Sequence, residues 1–179
     1  FFLIFSLKIS FISFFPFVFA SFIIFIFVLF YDFFTFIAFV TPLFIFSILN
    51  KIQGNITMLG DRSLMIVASG SMSEKHESDL VFLQNYDNQF QQFDIIVLEK
   101  VDNPYSLRVG DVIAFRTKDG TNVIHRIREV KFGYFVTQGD AVGKSDGYEP
   151  THEQVLGRYV SKRIPLIGIF VIFFQSPAG

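Results

Sequence analysis

Cysteine and tryptophan are absent from this chain of 179 residues, and histidine occurs only three times. Without cysteine there is no disulfide, no thiolate nucleophile and no cysteine-based metal site, and the redox compartment stays open. Charge is scarce in one region only: residues 1–50 carry just Lys8 and Asp32. The formal net charge of −1 offers no basic surface of the kind that nucleic-acid binding requires, so nucleic acid is set aside as a partner.

What fills the uncharged region is phenylalanine, with 18 of the 27 in the chain lying in residues 1–50. Residues 9–30 are a charge-free run of 22, and 33–49 a second of 17, parted by Tyr31-Asp32. A hydrocarbon core takes about 20 apolar residues of helix, so the first run spans it and the second is marginal. The first run is too long for a signal-peptide core, and no small-residue cleavage site follows it. Pro16 and Pro42 are tolerable in such helices. Residues 1–49 therefore read as a membrane anchor of one or two spans. Residues 50–62, with Gly54, Asn55 and Gly60, read as a linker.

From residue 63 to 179 the pattern changes to short runs rich in Val, Ile, Phe and Tyr: 63–68, 93–101, 111–117, 123–130, 134–138 and 155–164. Gly, Asp, Asn or Pro bounds each, and Asp119-Gly120 is a hairpin turn signal. The expected fold is mainly β, a partly closed, coiled barrel of short strands behind the anchor. Residues 73–92 are polar without periodicity and read as a mobile surface-loop insertion. Residues 164–177 are apolar again but too short to span, and read as a flap resting on the membrane.

Three groups in this domain bear chemistry. Ser69-Gly70-Ser71-Met72 follows a β-run directly, so a hydroxyl stands at a strand end. His125 alone among the histidines lies inside a β-run, sharing a face with Val123 and Ile127. His76 and His152 fall in stretches read as exposed. Gly139-Asp140 and Asp146 lie in a glycine-interrupted loop after a strand. Taken singly, each has an ordinary explanation: a tight turn, a half-buried core histidine, an exposed loop. A zinc site lacks a second histidine at ligand spacing, and the loop lacks the acidic spacing for calcium and the glycine pattern for phosphate. No metal or cofactor is expected.

Together, and in this order, these residues resemble the type I signal peptidases, specifically the histidine-containing branch of archaea, some Gram-positive bacteria and the endoplasmic reticulum. The resemblance covers roughly residues 63–177. Ser69-Gly70-Ser71-Met72 matches the nucleophile motif and Gly110 to Phe115 the strand after it. His125-Arg126-Ile127 lies where the other bacterial branch has a lysine base. Gly139-Asp140 and Asp146 match the acidic box, and Ile164 to Gly168 the closing segment. Glu74 replaces a usual proline, Gln138 a usual lysine, and the 73–92 insertion is longer than typical.

The resemblance implies a membrane-bound serine endopeptidase that removes signal peptides from preproteins, on the extracytoplasmic face of the plasma membrane or the luminal face of the endoplasmic reticulum. It implies Ser71 as nucleophile, His125 as base and Asp146 as the orienting acid. Ser69, Met72, Ala68 and Val67 would serve the oxyanion and the substrate, while Asp140 and Gly139 support the site. The substrate would lie extended beside residues 64–68, and accessory membrane subunits are conceivable partners. The alternatives are a serine–lysine protease of the same fold class and a non-catalytic, membrane-anchored β interaction module.

Overall fold

Uninterrupted apolar residues with no glycine favour helix, and in the computed structural model they form one: α1, Phe2–Ile52. The structure describes the backbone of residues 2–176 and the side chains of residues 19–176. The end of the expected C-terminal segment, at 177, falls outside the described residues. Over Phe19–Ile52 the helix is long and apolar enough to cross a membrane, since 34 residues at 1.5 Å each exceed a hydrocarbon core of about 30 Å. The helix continues through Tyr31-Asp32 and Pro42, where the sequence suggested a division into two runs. Thr35 helps by donating its hydroxyl back to the carbonyls of Tyr31 and Asp32, both at 2.9 Å.

The chain divides into two compact units, Phe1–Ile45 and Phe46–Gly179. The second holds seven strands: β1 Ile56–Leu59, β2 Arg62–Ile66, β3 Ile95–Glu99, β4 Val112–Arg116, β5 Asn122–Val130, β6 Phe135–Gln138 and β7 Val155–Ile164. They make one antiparallel sheet in the order β1-β2-β3-β7-β4-β5-β6. All six expected runs form strands. The seventh, β1, lies in the expected linker: Gly60 turns the chain so that Ile56 pairs with Met65.

Alternation along the strands sorts the core. On β4, Val112 and Ala114 enter one cluster, Ile113 and Phe115 another, so this strand is buried on both faces. The first cluster draws Ile56, Met65, Ile96, Leu98, Val112, Ala114, Ile124 and Tyr159 from six different strands. The sheet therefore curls round a shared apolar interior. Register shifts between β3 and β7, β4 and β7, and β5 and β6 sharpen that curl, as bulges do.

The apolar C-terminal stretch forms a helix, α3, Gly168–Gln175. It is not simply a flap: Val171 is fully buried with Ile66 and Ile95, and Gly168 donates its N–H to the Phe93 carbonyl at 2.9 Å. A Cβ on Gly168 would stand 2.6 Å from that carbonyl oxygen, so only glycine permits the approach. Ile169, Phe170 and Phe173 remain exposed on the other side.

The junction of β2, β3 and β7 is tied by Asp94, which is buried and accepts from Gln91 N–H, Leu166 N–H and Arg163 at 2.9, 3.2 and 2.6 Å. Burial opposes its ionisation, but these three donors and the Arg163 charge outweigh burial and hold the carboxyl below its ordinary range. The folded protein thus binds this proton less readily than the unfolded chain. The stabilisation is complete above about pH 4 and is lost as the pH falls through the lower folded value. Asp94→Ala is expected to destabilise the protein by about 1–3 kcal/mol at neutral pH. Thermal unfolding between pH 7 and pH 2 should show the gap between wild type and variant narrowing on acidification.

Candidate active site

Beyond β2 the chain stays extended for one residue, with Val67 N–H donating to Asp94 O and Phe93 N–H donating to Val67 O, both at 2.9 Å. It then turns sharply, and Ser73 closes the turn by giving both its N–H and its hydroxyl to the Gly70 carbonyl, at 3.0 and 2.7 Å. Met72 pegs the turn into the first core cluster, its side chain fully buried. Its carbonyl accepts Phe90 N–H at 3.1 Å and its sulfur accepts Asp140 N–H at 3.3 Å. Ser71 O accepts Ala141 N–H at 2.9 Å. A hydroxyl on such a turn is held by backbone contacts on both sides.

His125 sits in the middle of β5, opposite Ile113 of β4. Its Nε2 lies 2.9 Å from Ser71 Oγ, and its Nδ1 lies 2.6 Å from Asp146 Oδ2. Residues 71, 125 and 146 thus converge in a line of hydroxyl, imidazole and carboxylate. A carboxylate only accepts, so the imidazole proton belongs on Nδ1 and Nε2 is left to accept from Ser71. Thr137 donates its hydroxyl to the same Asp146 oxygen at 2.7 Å, and Asp146 N–H donates back to Thr137 O at 2.9 Å. Thr137 went unnoticed in the sequence. Its only signal was a polar residue at a buried position in a short β-run.

Beside this line lies an ion pair with neither side chain exposed to solvent, Arg126–Asp140. Arg126 donates Nε to Asp140 Oδ1 at 2.8 Å and Nη2 to Oδ2 at 2.5 Å, and gives Nη1 to Gly110 O at 2.8 Å. The Tyr86 ring faces the guanidinium carbon at 4.7 Å from its centroid. Asp140 is therefore neutralised, and Asp146 is the carboxylate directed at His125. Gly139 packs against Ser71 and His125: a Cβ there would stand 2.6 Å from Ser71 O and 3.1 Å from His125 Nε2.

The other expected residues fall into two groups. Ser69 is exposed, with Oγ 3.3 Å from Ser71 Oγ, and Ala68 is exposed beside it. Val67 and Met72, by contrast, are buried in the core. They support the turn from behind and do not face open space: Val67 continues the inward face of Met65, and the turn itself carries the Met72 side chain into the same cluster. The expected substrate strand along 64–68 is also shorter than thought. β1 already pairs with Leu64 and Met65, so the free edge of β2 begins at Ile66. From there a cleft of about 580 Å³ opens between Ile66, Ala68, Arg116, Asn122 and Gln175.

Two further expectations change. His76 is exposed as anticipated, but His152 is wedged between the rings of Tyr105 and Phe135, at 4.7 and 4.9 Å between centroids. The 73–92 insertion is docked and partly helical: after a 3-10 turn at Glu77–Asp79 it forms α2, Leu80–Leu83, and buries Leu83 and Phe90 completely. One four-residue apolar run, Leu80 to Leu83, and a lone Phe90 among polar residues are too few to establish a period, which is why the segment read as loop.

Among the described residues no cluster of three or more His, Cys, Asp or Glu side chains could hold a metal ion. No protein-family profile matches the chain, and no curated protein matches it.

Gly139→Ala is expected to cost about 1–3 kcal/mol, since the new methyl group overpacks the Ser71–His125 contact. Gly147→Ala, where a Cβ would meet nothing within 4 Å, is the matched control and should unfold at close to the wild-type temperature.

Proposed function

We propose that this chain is a membrane-anchored serine endopeptidase of the signal peptidase type, which removes N-terminal signal peptides from preproteins. The observation that carries this reading is the line Ser71–His125–Asp146, with separations of 2.9 and 2.6 Å. It is supported by the order in which these residues occur and by the resemblance of five segments to the histidine-containing branch. The curl of the sheet round one cluster is what a partly closed, coiled barrel of that fold would have.

A serine hydroxyl is a weak nucleophile until a base takes its proton. In the proposed mechanism, neutral His125 accepts that proton at Nε2 as Ser71 Oγ attacks the scissile carbonyl. Asp146 holds the imidazole in the required tautomer and stabilises the imidazolium that forms. His125 then returns the proton to the departing amine, leaving an acyl-enzyme on Ser71 that water hydrolyses by the same relay. The Ser71 N–H and the Ser69 hydroxyl are the donors for the oxyanion, and losing one such donor costs on the order of 10²–10³ in kcat. No step calls for a metal or cofactor.

The substrate's residues before the cut would run along Ile66–Ala68 into the cleft. An anchoring helix holds the enzyme where a preprotein's own apolar segment is embedded, which raises the effective concentration of the two. Catalysis would take place outside the cytoplasm, at the plasma membrane, or in the lumen of the endoplasmic reticulum.

A lysine base is the first rival, but Lys118 and Lys131 are both exposed, and Lys131 pairs with Glu129. A non-catalytic β-module is the second. One experiment separates the three: incubate the protein in bilayers with a labelled preprotein and map the new N-terminus. Ser71→Ala and His125→Ala are expected to abolish cleavage, and Asp146→Asn to lower kcat by about 10⁴. Cleavage by Ser71→Ala at the wild-type rate would defeat the proposal.

A further inference from the structure

The 73–92 insertion departs most from the pattern the rest of the domain resembles, and its polar contacts are concentrated on the buried ion pair beside His125. Asn88 Oδ1 accepts Arg126 Nη2 at 2.8 Å, and Gln89 Nε2 donates to Asp140 Oδ2 at 2.8 Å. His76 N–H donates to the Asp140 carbonyl at 2.8 Å, and its ring covers Gly143, where a Cβ would come within 2.6 Å of His76 Cε1. Asp79 reaches the same region from the start of α2, forming an ion pair with Arg128 at 2.9 Å and accepting from the Gln138 amide at 2.5 Å. Phe90 and Leu83 anchor the segment in the apolar interior.

We propose that Asn88 and Gln89 are positioning residues: they complete the hydrogen bonding of the buried Arg126–Asp140 pair and thereby fix the distance between Ser71 and His125. This rests on the functional reading above. A pair withdrawn wholly from water is stable only when its remaining donors and acceptors are met. Asn88 supplies an acceptor to the cation, and Gln89 supplies a donor to the anion. Arg126 adjoins His125 along β5, and Asp140 adjoins Gly139, whose backbone packs against both Ser71 and His125. Displacing either ion therefore moves a wall of the reacting pair, and a shift near 1 Å in such a geometry costs about 10²-fold in rate.

The polarity of the two contacts makes the inference specific. Asn88→Asp keeps an acceptor facing Arg126, whereas Asn88→Ala removes it. Gln89→Ala removes a donor, and Gln89→Glu turns an acceptor toward a carboxylate. The test uses the full chain in bilayers with a labelled preprotein and measures kcat and KM separately. In parallel, backbone hydrogen exchange of residues 139–146 is followed in each variant on a Ser71→Ala background. Asn88→Ala and Gln89→Ala are expected to lower kcat by about 10–100-fold with KM little changed. Asn88→Asp should restore kcat to near the wild-type value, and Gln89→Glu should be at least as damaging as Gln89→Ala. Exchange at 139–146 should quicken in the three damaging variants alone.

Wild-type kcat and unchanged exchange in Asn88→Ala and Gln89→Glu would overturn the proposal. So would quickened exchange with undiminished kcat, which would make the contacts structural only. If the wild-type protein cleaves no preprotein, the functional reading fails. Exchange then decides the clamp by itself: acceleration in Gln89→Glu upholds it, and no change removes it.

Discussion

The acidic loop at 139–146 is held against the Ser71–Met72 turn by backbone contacts and one desolvated ion pair, and the site's geometry follows from that contact. Ser71 O takes Ala141 N–H, Met72 sulfur takes Asp140 N–H, and Arg126 grips the Asp140 carboxylate from β5. Three segments distant in sequence are thereby brought to one point. The arrangement puts the charged pair out of water, where each ion requires the other. It leaves Asp146 free to face His125. Two carboxylates six residues apart in one loop acquire different roles because one has an arginine and the other has an imidazole and a threonine.

The remainder of the second unit keeps that contact from relaxing. The curled sheet gives β5 two buried neighbours, and the register of β4 against β5 fixes which face His125 presents. Met72 and Phe90 fill the interior under the turn, so the hydroxyl sits on packed residues and not on a free loop. The 73–92 insertion adds a polar cover to the ion pair without adding an apparent catalytic group. Asp94 plays the corresponding part at the open end of β2, where α3 and β7 close on the strand that delivers Ser71.

Strand positions were legible from residue composition because β-branched and aromatic runs bounded by turn formers leave few other choices. β1 was not, since Ile56 to Leu59 is too short to show alternation and becomes a strand only by pairing with β2. That pairing also removed part of the open edge expected for a bound peptide. The insertion was misread for a related reason: a single short apolar run ending at Leu83 and a lone Phe90 show no period, and which of these residues is buried is decided by where the segment lands. Val67 turned inward because it continues the face of Met65, and Met72 because the turn after Ala68 folds its side chain back into the same cluster, a detail no local pattern records.

By itself the sequence determined that an apolar helix precedes a mainly β domain, and it placed a serine at a strand end, a histidine inside a strand and an aspartate-bearing loop in that domain. These are properties of residue type, periodicity and local turn chemistry. Only the tertiary structure decided that Ser71, His125 and Asp146 meet, that Arg126 consumes Asp140, and that Asn88 and Gln89 finish the pair. Such facts depend on the register of strands and the docking of loops far apart in the chain, where a one-residue slip would reverse every face.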